Sequence, residues 1–257
     1  MTAPRLSALV VARNEAAQLS ECLETLRFAD ETVVVLDRTT DGSKAIAERF
    51  GARVIEGAWE IEGGRRNAGI EACEGEWILE VDADERVPGA LAEEIRATIA
   101  AAPPGYFLIP FDNYIGDHLV RHGWGGAWGV SATARLFARG HKRWGPERVH
   151  PALTLSGKRR WLTTPMVHLV DRDVSDMLAR LDRYTTLKAR DLRERGAVGS
   201  LPDNVRRFFS RFLKCYVMHR GYREGRHGFT IALFAGLYPL IAHLKATLDE
   251  EDRCRER

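Results

Sequence analysis

Short apolar runs alternate with segments of helical period along the first hundred residues. Ser7–Val11, Thr32–Leu36 and Trp77–Val81 are mainly apolar, the pattern of strands covered on both faces. Between them, Ala16–Arg27 sets Leu19, Leu23 and Leu26 on one helical face, Ser43–Phe50 follows an Asp41-Gly42 turn, and Arg65–Cys73 follows Gly63-Gly64. Pro88 opens a helix over Gly89–Ala101, where Leu91, Ile95 and Ile99 recur at helical spacing. Strand and helix in alternation predict a parallel sheet with covered faces. Pro103-Pro104-Gly105 ends the series, and Tyr106–Phe111 reads as one more strand.

The second half is less regular. Arg135-Leu136-Phe137 reads as a strand, Gly123–Gly129 is rich in Gly and Trp, Gly140–Pro151 reads as a loop, and Asp173–Arg195 is helical and basic. Gly228–Leu244 holds no Lys, Arg, Asp or Glu, yet it falls short of the ~20 apolar residues of a spanning helix and contains Pro239. A buried, an interfacial and a partner-binding helix all fit it.

Composition narrows the class. With 257 residues, 45% hydrophobic and 29% charged, the chain is globular, and collagen-like, disordered and disulfide-scaffold classes are excluded. Cys22, Cys73, Cys215 and Cys254 are scattered, which argues against a structural zinc site and fits a reducing cytoplasm. The N-terminal residues carry Arg5 but no long apolar core, so no secretory signal is read there. Residues 1–138 sum to −9 and residues 139–228 to +12. The acidic first half speaks against nucleic acid as a partner, whereas the basic half suits phosphates or solvated helix faces.

Chemistry concentrates where strands end. Trp77–Val81 runs straight into Asp82-Ala83-Asp84-Glu85, and in an open α/β sheet ligands bind outside the carboxyl ends of the strands. Two aspartates one small residue apart suit a hard divalent cation, Mg²⁺ or Mn²⁺, although either one also suits a helix cap. Ala12-Arg13-Asn14-Glu15 follows the first strand and Asp37 ends the second, both placed to meet a base and ribose, although each alone also suits a helix cap. Gly63-Gly64-Arg65-Arg66-Asn67 adds cations and amides suited to a diphosphate.

In this order, Val11-Ala12-Arg13-Asn14-Glu15, Asp37 with Asp41-Gly42-Ser43, Arg66-Asn67-Ala68-Gly69 and Asp82-Ala83-Asp84-Glu85 resemble the nucleotide-binding half of the family-2 glycosyltransferases. Arg135-Leu136-Phe137, Val149-His150 and the basic, hydrophobic tail are similar to the bacterial lipopolysaccharide core glycosyltransferases. The resemblance implies an α/β GT-A fold, a Rossmann-like mixed sheet flanked by helices with a helical C-terminal extension. It divides the chain into a catalytic domain at 1–170 (nucleotide-sugar half 5–102, acceptor half 103–170) and an extension at 171–257. It also implies a nucleotide-diphosphate sugar donor, a saccharide or glycolipid acceptor, a divalent metal, inversion at the anomeric carbon, and a cytoplasmic enzyme at the membrane face. By this carry-over Asn14, Glu15 and Asp37 line base and ribose, Arg66 and Asn67 approach the nucleotide, Asp82 serves the ribose and Asp84 the metal, and Ala12, Arg13 and Ala83 belong to the same nucleotide-sugar site. Pro151 departs from the pattern, since relatives often carry Glu after the Val-His pair as a plausible base. Glu147 and His150 are then the candidate proton acceptors, with Asp112 a third.

Other residues leave two readings each. Trp124, Trp128 and Trp144 suit a sugar platform or core packing, and His168 suits a diphosphate contact or a structural bond. Arg206-Arg207-Phe208-Phe209 and Arg211-Phe212-Leu213-Lys214 suit either an anionic membrane surface or a packed amphipathic helix. A nucleotidyltransferase and a non-catalytic nucleotide- or glycan-binding module are the rival functions. The first lacks its Gly-rich phosphate loop after the first strand.

Overall fold

The computed structural model describes residues 4–125, 130–146 and 152–255, with side chains to residue 248. The chain forms two compact units, Met1–Phe111 with Ala132–His168, and Asp112–Ser131 with Leu169–Arg257.

The first unit is built on a mixed sheet. Parallel strands β1 (Leu6–Ala12), β2 (Glu31–Asp37), β3 (Arg53–Gly57) and β4 (Trp77–Asp82) lie in the order β3-β2-β1-β4. The sheet continues from β4 through β8 (Ala132–Ala138), β6 (Gly105–Ile115) and β12 (Met166–Asp171) to β5 (Glu85–Arg86). The first four strands are parallel, as the alternation of strand and helix predicts, and β8, antiparallel to both β4 and β6, makes the sheet the expected mixed one. Strand β3 was not legible in the sequence. It is a sheet-edge strand with Arg53 and Glu56 exposed, so it lacks the apolar run of a covered strand.

Every residue of β1 is buried, and alternate side chains serve opposite layers. Leu6, Ala8 and Val10 join a core with Leu19 and Leu23 of α1 (Ala16–Glu24), Ala47 of α2 (Ser43–Arg49) and Leu91, Ile95 and Ile99 of α4 (Gly89–Ala101). Leu9 and Val11 face Ile70 of α3 (Glu62–Ala72) together with Val33, Val35 and Phe137. Glycine lets α3 come close on both sides. A Cβ on Gly69 would meet Leu9 Cδ1 at 2.5 Å, and one on Gly63 would meet the Gly145 carbonyl oxygen at 2.1 Å. Part of the expected 140–151 loop is strand: β9 (Lys142–Trp144) pairs antiparallel with β10 (Leu153–Leu155). The exposed strand β11 (Lys158–Trp161) lies parallel to β6.

The second unit is mainly helical. A hairpin joins the end of β6 to β7 (His118–Val120) through Gly116, whose φ of +56° favours glycine. Then come α5 (Val174–Glu194), α6 (Leu201–Leu213), a π-helical turn at Lys214–Met218 and α7 (Gly225–Arg255). Asp173 and Ser200 cap α5 and α6 by accepting from Asp176 N and Asp203 N. Helix α7 supplies Ile231, Ala232, Phe234, Ala235 and Tyr238 to a core shared with Met177, Leu181 and Cys215. Gly221–Leu248 is long and apolar enough to cross a membrane by length and composition, and 56% of its most apolar stretch is buried within the protein.

Candidate active site

The loops after β1 and β2 leave the sheet through left-handed residues, Asn14 at φ +57° and Arg38 at φ +49°. Asn tolerates that conformation better than most residues do. Its side-chain carbonyl accepts from Thr40 N at 2.8 Å and so ties the two loops together. Asp41 accepts from Ala16 N at 2.9 Å and from Ser43 N at 3.0 Å, joining the first turns of α1 and α2. Ser43 Oγ in turn accepts from Glu15 N at 3.1 Å. Arg13 is exposed, Ala12 is buried at the strand end, and buried Asp37 accepts from Trp59 N at 3.0 Å and faces Arg65 at 3.4 Å.

Beneath the end of β4 lies a largely buried network of three acids and three cations: buried Glu80 and Glu85 and half-buried Asp82, with buried Arg66, Arg135 and Lys142. Lys142 Nζ stands 2.7 Å from Glu80 Oε2, and Arg66 Nη1 is 3.0 Å from Asp82 Oδ1. Arg135 pairs with both Asp82 and Glu85. Glu85 Oε2 also accepts from Asp82 N at 2.9 Å, which closes the Asp-Ala-Asp-Glu turn on itself. Buried charges persist only when paired in this way.

Ionisation follows from the same contacts. Burial opposes the charge on Glu80, but Lys142, Arg66 and Arg135 outweigh it and bring the carboxyl down to about 2. Asp82 is likewise held far below the usual carboxylate range, burial being overcome by Arg135 and Arg66. For Glu85 burial wins over Arg135, with Asp82 and Asp84 adding to it, and the carboxyl rises to about 7. Burial pulls Lys142 down to about 8 against the attraction of Glu80.

Several of the residues singled out in the sequence therefore make internal bonds. Arg66 faces Glu62, Glu80 and Asp82. Asn67 donates to the Trp144 carbonyl at 2.9 Å and accepts from Trp144 N at 3.0 Å, fixing β9 to α3. Asp82 accepts from two arginines, and Ala83 is buried. Asp84 has no arginine partner among the described residues and faces His168, with Asp84 Oδ2 and His168 Nε2 3.6 Å apart. Ligand atoms of Asp84, Glu85 and His168 lie within 4.8 Å of one another, a group able to hold a metal ion. Two carboxylates and one imidazole fit a cation such as Mn²⁺ by donor type.

His168 and Glu85 join this group through β-pairing, for the β5–β12 register sets His168 opposite Glu85. Little in the sequence marks Lys142 as a buried cation, because its neighbourhood reads as a loop; its alternation with exposed Arg143 is the available signal. Burial of His168 favours its neutral form, yet the Asp84 bond and charge outweigh this and raise its pKa. Trp144 stacks under Arg66 and Lys142, at 5.0 and 4.8 Å from its ring centre, and donates from Nε1 to Glu80 at 3.3 Å. Trp124 is buried in the second unit, its Nε1 donating to Val120 O at 2.7 Å. Glu147, His150 and Trp128 lie outside the described residues.

Comparison with known proteins supplies the family. Residues 7–141 match glycosyl transferase family 2. Lipopolysaccharide core biosynthesis glycosyltransferase LpsC of Rhizobium meliloti is 26% identical over 93% of this chain and 91% of its own length. An uncharacterized glycosyltransferase of Rickettsia felis is 35% identical, but over only 38% of this chain and 35% of that protein. The UDP complex of S. aureus TarS 1–349 is similar at a TM-score of 0.40 and 24% identity, covering 48% of this chain and 40% of that one. With the match extending over more than half of its residues, and with an α/β GT-A-like sheet carrying acids at a strand end, the chain belongs to glycosyl transferase family 2 and is a glycosyltransferase.

Proposed function

We propose that this glycosyltransferase moves a sugar, with inversion, from a nucleotide-diphosphate sugar to a saccharide or lipid-linked acceptor at the cytoplasmic face of an envelope membrane. The observation that carries the donor half is the convergence of Asp84, Glu85 and His168 at the end of β4, the edge where α/β sheets bind ligands. The end-to-end likeness to a lipopolysaccharide core glycosyltransferase supports the envelope acceptor. Family membership favours glycosyl over nucleotidyl transfer and over binding alone.

In this reading Asp84 and His168, with Glu85 beside them, hold Mg²⁺ or Mn²⁺. The bound cation supplies Lewis-acid neutralisation of the departing diphosphate. Ala12, Arg13, Asn14, Glu15 and Asp37 line the base and ribose, and the Asp82-Ala83 turn borders the ribose. Arg66 and Asn67 serve the nucleotide site from behind, through their bonds to Asp82 and Trp144. Arg66, Arg135 and Lys142 balance Glu80, Asp82 and Glu85, which leaves Asp84 as the carboxylate of this turn without an arginine partner among the described residues.

The acceptor hydroxyl forms a bond to the anomeric carbon as the bond to the diphosphate oxygen breaks on the opposite face. Glu147 or His150 takes the hydroxyl proton. Incubation with nucleotide-sugar donors, Mn²⁺ and envelope glycan acceptors tests this, and free nucleoside diphosphate is the expected product. Release of pyrophosphate instead would mean nucleotidyl transfer.

A further inference from the structure

Helix α6 is apolar well beyond the stripe its packing uses. On its inner side Phe208 and Phe212 are partly buried, and the Phe208 carbonyl oxygen would lie 2.9 Å from a Cβ on Gly236 of α7. The next row along the helix, four residues apart, is Leu201, Val205, Phe209 and Leu213, and Val217 and Met218 carry it into the π-helical turn. These six side chains are 38–74% exposed. Residues spaced by four form one ridge on a helix surface, so this is a continuous strip of large apolar groups in water. An ordinary surface helix is polar there.

The strip is set in positive charge. Arg206, Arg207, Lys214, Arg220 and Arg223 are all exposed, and no Asp or Glu occurs from Asn204 to Arg223. The acids at either end are engaged, Asp203 with Ser200 and Glu224 with the Arg121 and His122 amides. We propose that this face of α6 and the following turn docks on an anionic lipid bilayer, the apolar row entering the headgroup boundary and the cations meeting lipid phosphates. A helix with one apolar and one cationic face lies in the interface plane in this way. A second copy of the chain suits the face less well, since a two-fold contact sets the same patch against itself and would bring these cations together. The inference shares with the proposed function only its location at a membrane.

The test is sedimentation of the full chain with vesicles of phosphatidylcholine alone and of phosphatidylcholine with phosphatidylglycerol. Binding to the anionic vesicles and little to the neutral ones is expected. Arg206→Gln with Arg207→Gln should weaken that binding about 30-fold, at roughly fivefold per cation. Phe209→Ser with Leu213→Ser should weaken it as well. All four positions are exposed or point outward, and unchanged thermal unfolding of each double variant shows that the fold is kept.

Failure of the parent chain to bind anionic vesicles overturns the proposal, as does parental binding by both variants. Loss of a dimer in the Phe209/Leu213 variant, with vesicle binding intact, would make the face an interface between copies and equally overturn it. No sugar donor enters the assay, so its failure leaves the transfer reading standing, and failed transfer leaves vesicle binding unaffected.

Discussion

His168 Nε2 stands 3.6 Å from Asp84 Oδ2, a pair brought together from distant parts of the chain by antiparallel pairing of β12 with β5. Under the proposed metal site, replacing the imidazole removes one of the three groups able to hold the ion. Since loss of even an outer partner of a metal ligand costs about 10- to 100-fold in affinity, His168→Ala should weaken Mn²⁺ binding by at least about tenfold, measured by calorimetry without any sugar donor. Parental affinity in this variant would remove His168 from the metal group.

Arg135 joins Asp82 to Glu85 in the buried network. Arg135→Met leaves fully buried Glu85 without its cation and half-buried Asp82 with Arg66 alone, and should cost about 3–5 kcal/mol of stability. Urea unfolding measures it. A loss below ~1 kcal/mol would show that Arg66 alone suffices for Asp82.

Glu80 links stability to pH. Its folded carboxyl is depressed from 4.5 to about 2, so its contribution is present above pH 4.5 and is lost as pH falls toward 2. The span corresponds to about 3 kcal/mol. Glu80→Gln should therefore flatten the acid limb of a stability-against-pH curve by about that amount, whereas a slope equal to the parent's would contradict the burial and pairing of this group.

Gly63 sets how closely α3 approaches the β9–β10 ribbon. Because a Cβ there meets a backbone oxygen and not a flexible side-chain end, Gly63→Ala should destabilise by about 1–3 kcal/mol despite alanine's better helix propensity. Thermal unfolding checks the sign. A variant more stable than the parent would mean that the ribbon yields without loss.

Much of this was legible from local pattern. The apolar runs at β1, β2 and β4, the leucine spacing of α1 and the carboxylates after Val81 are features of neighbouring residues, and burial on both faces explains the runs. Long-range pairing is what hid the rest. Nothing near His168 announces that β12 will lie against Glu85, and Lys142 looks like a surface lysine until Glu80 is found 2.7 Å away. The same holds for Arg66 and Asn67. Their place in the motif order is local, whereas the bonds their side chains make to Glu80, Asp82 and the Trp144 backbone depend on strands distant in the chain. The uncharged segment of α7 divides between burial and exposure only once α5 and α6 are packed on it.

The most direct measurement is a calorimetric titration of parent and Asp84→Asn protein with a nucleotide-diphosphate sugar, each with and without Mn²⁺. The account predicts that Mn²⁺ tightens donor binding to the parent by at least about tenfold and leaves the variant's binding unchanged. Equal strengthening by Mn²⁺ in both proteins would contradict it.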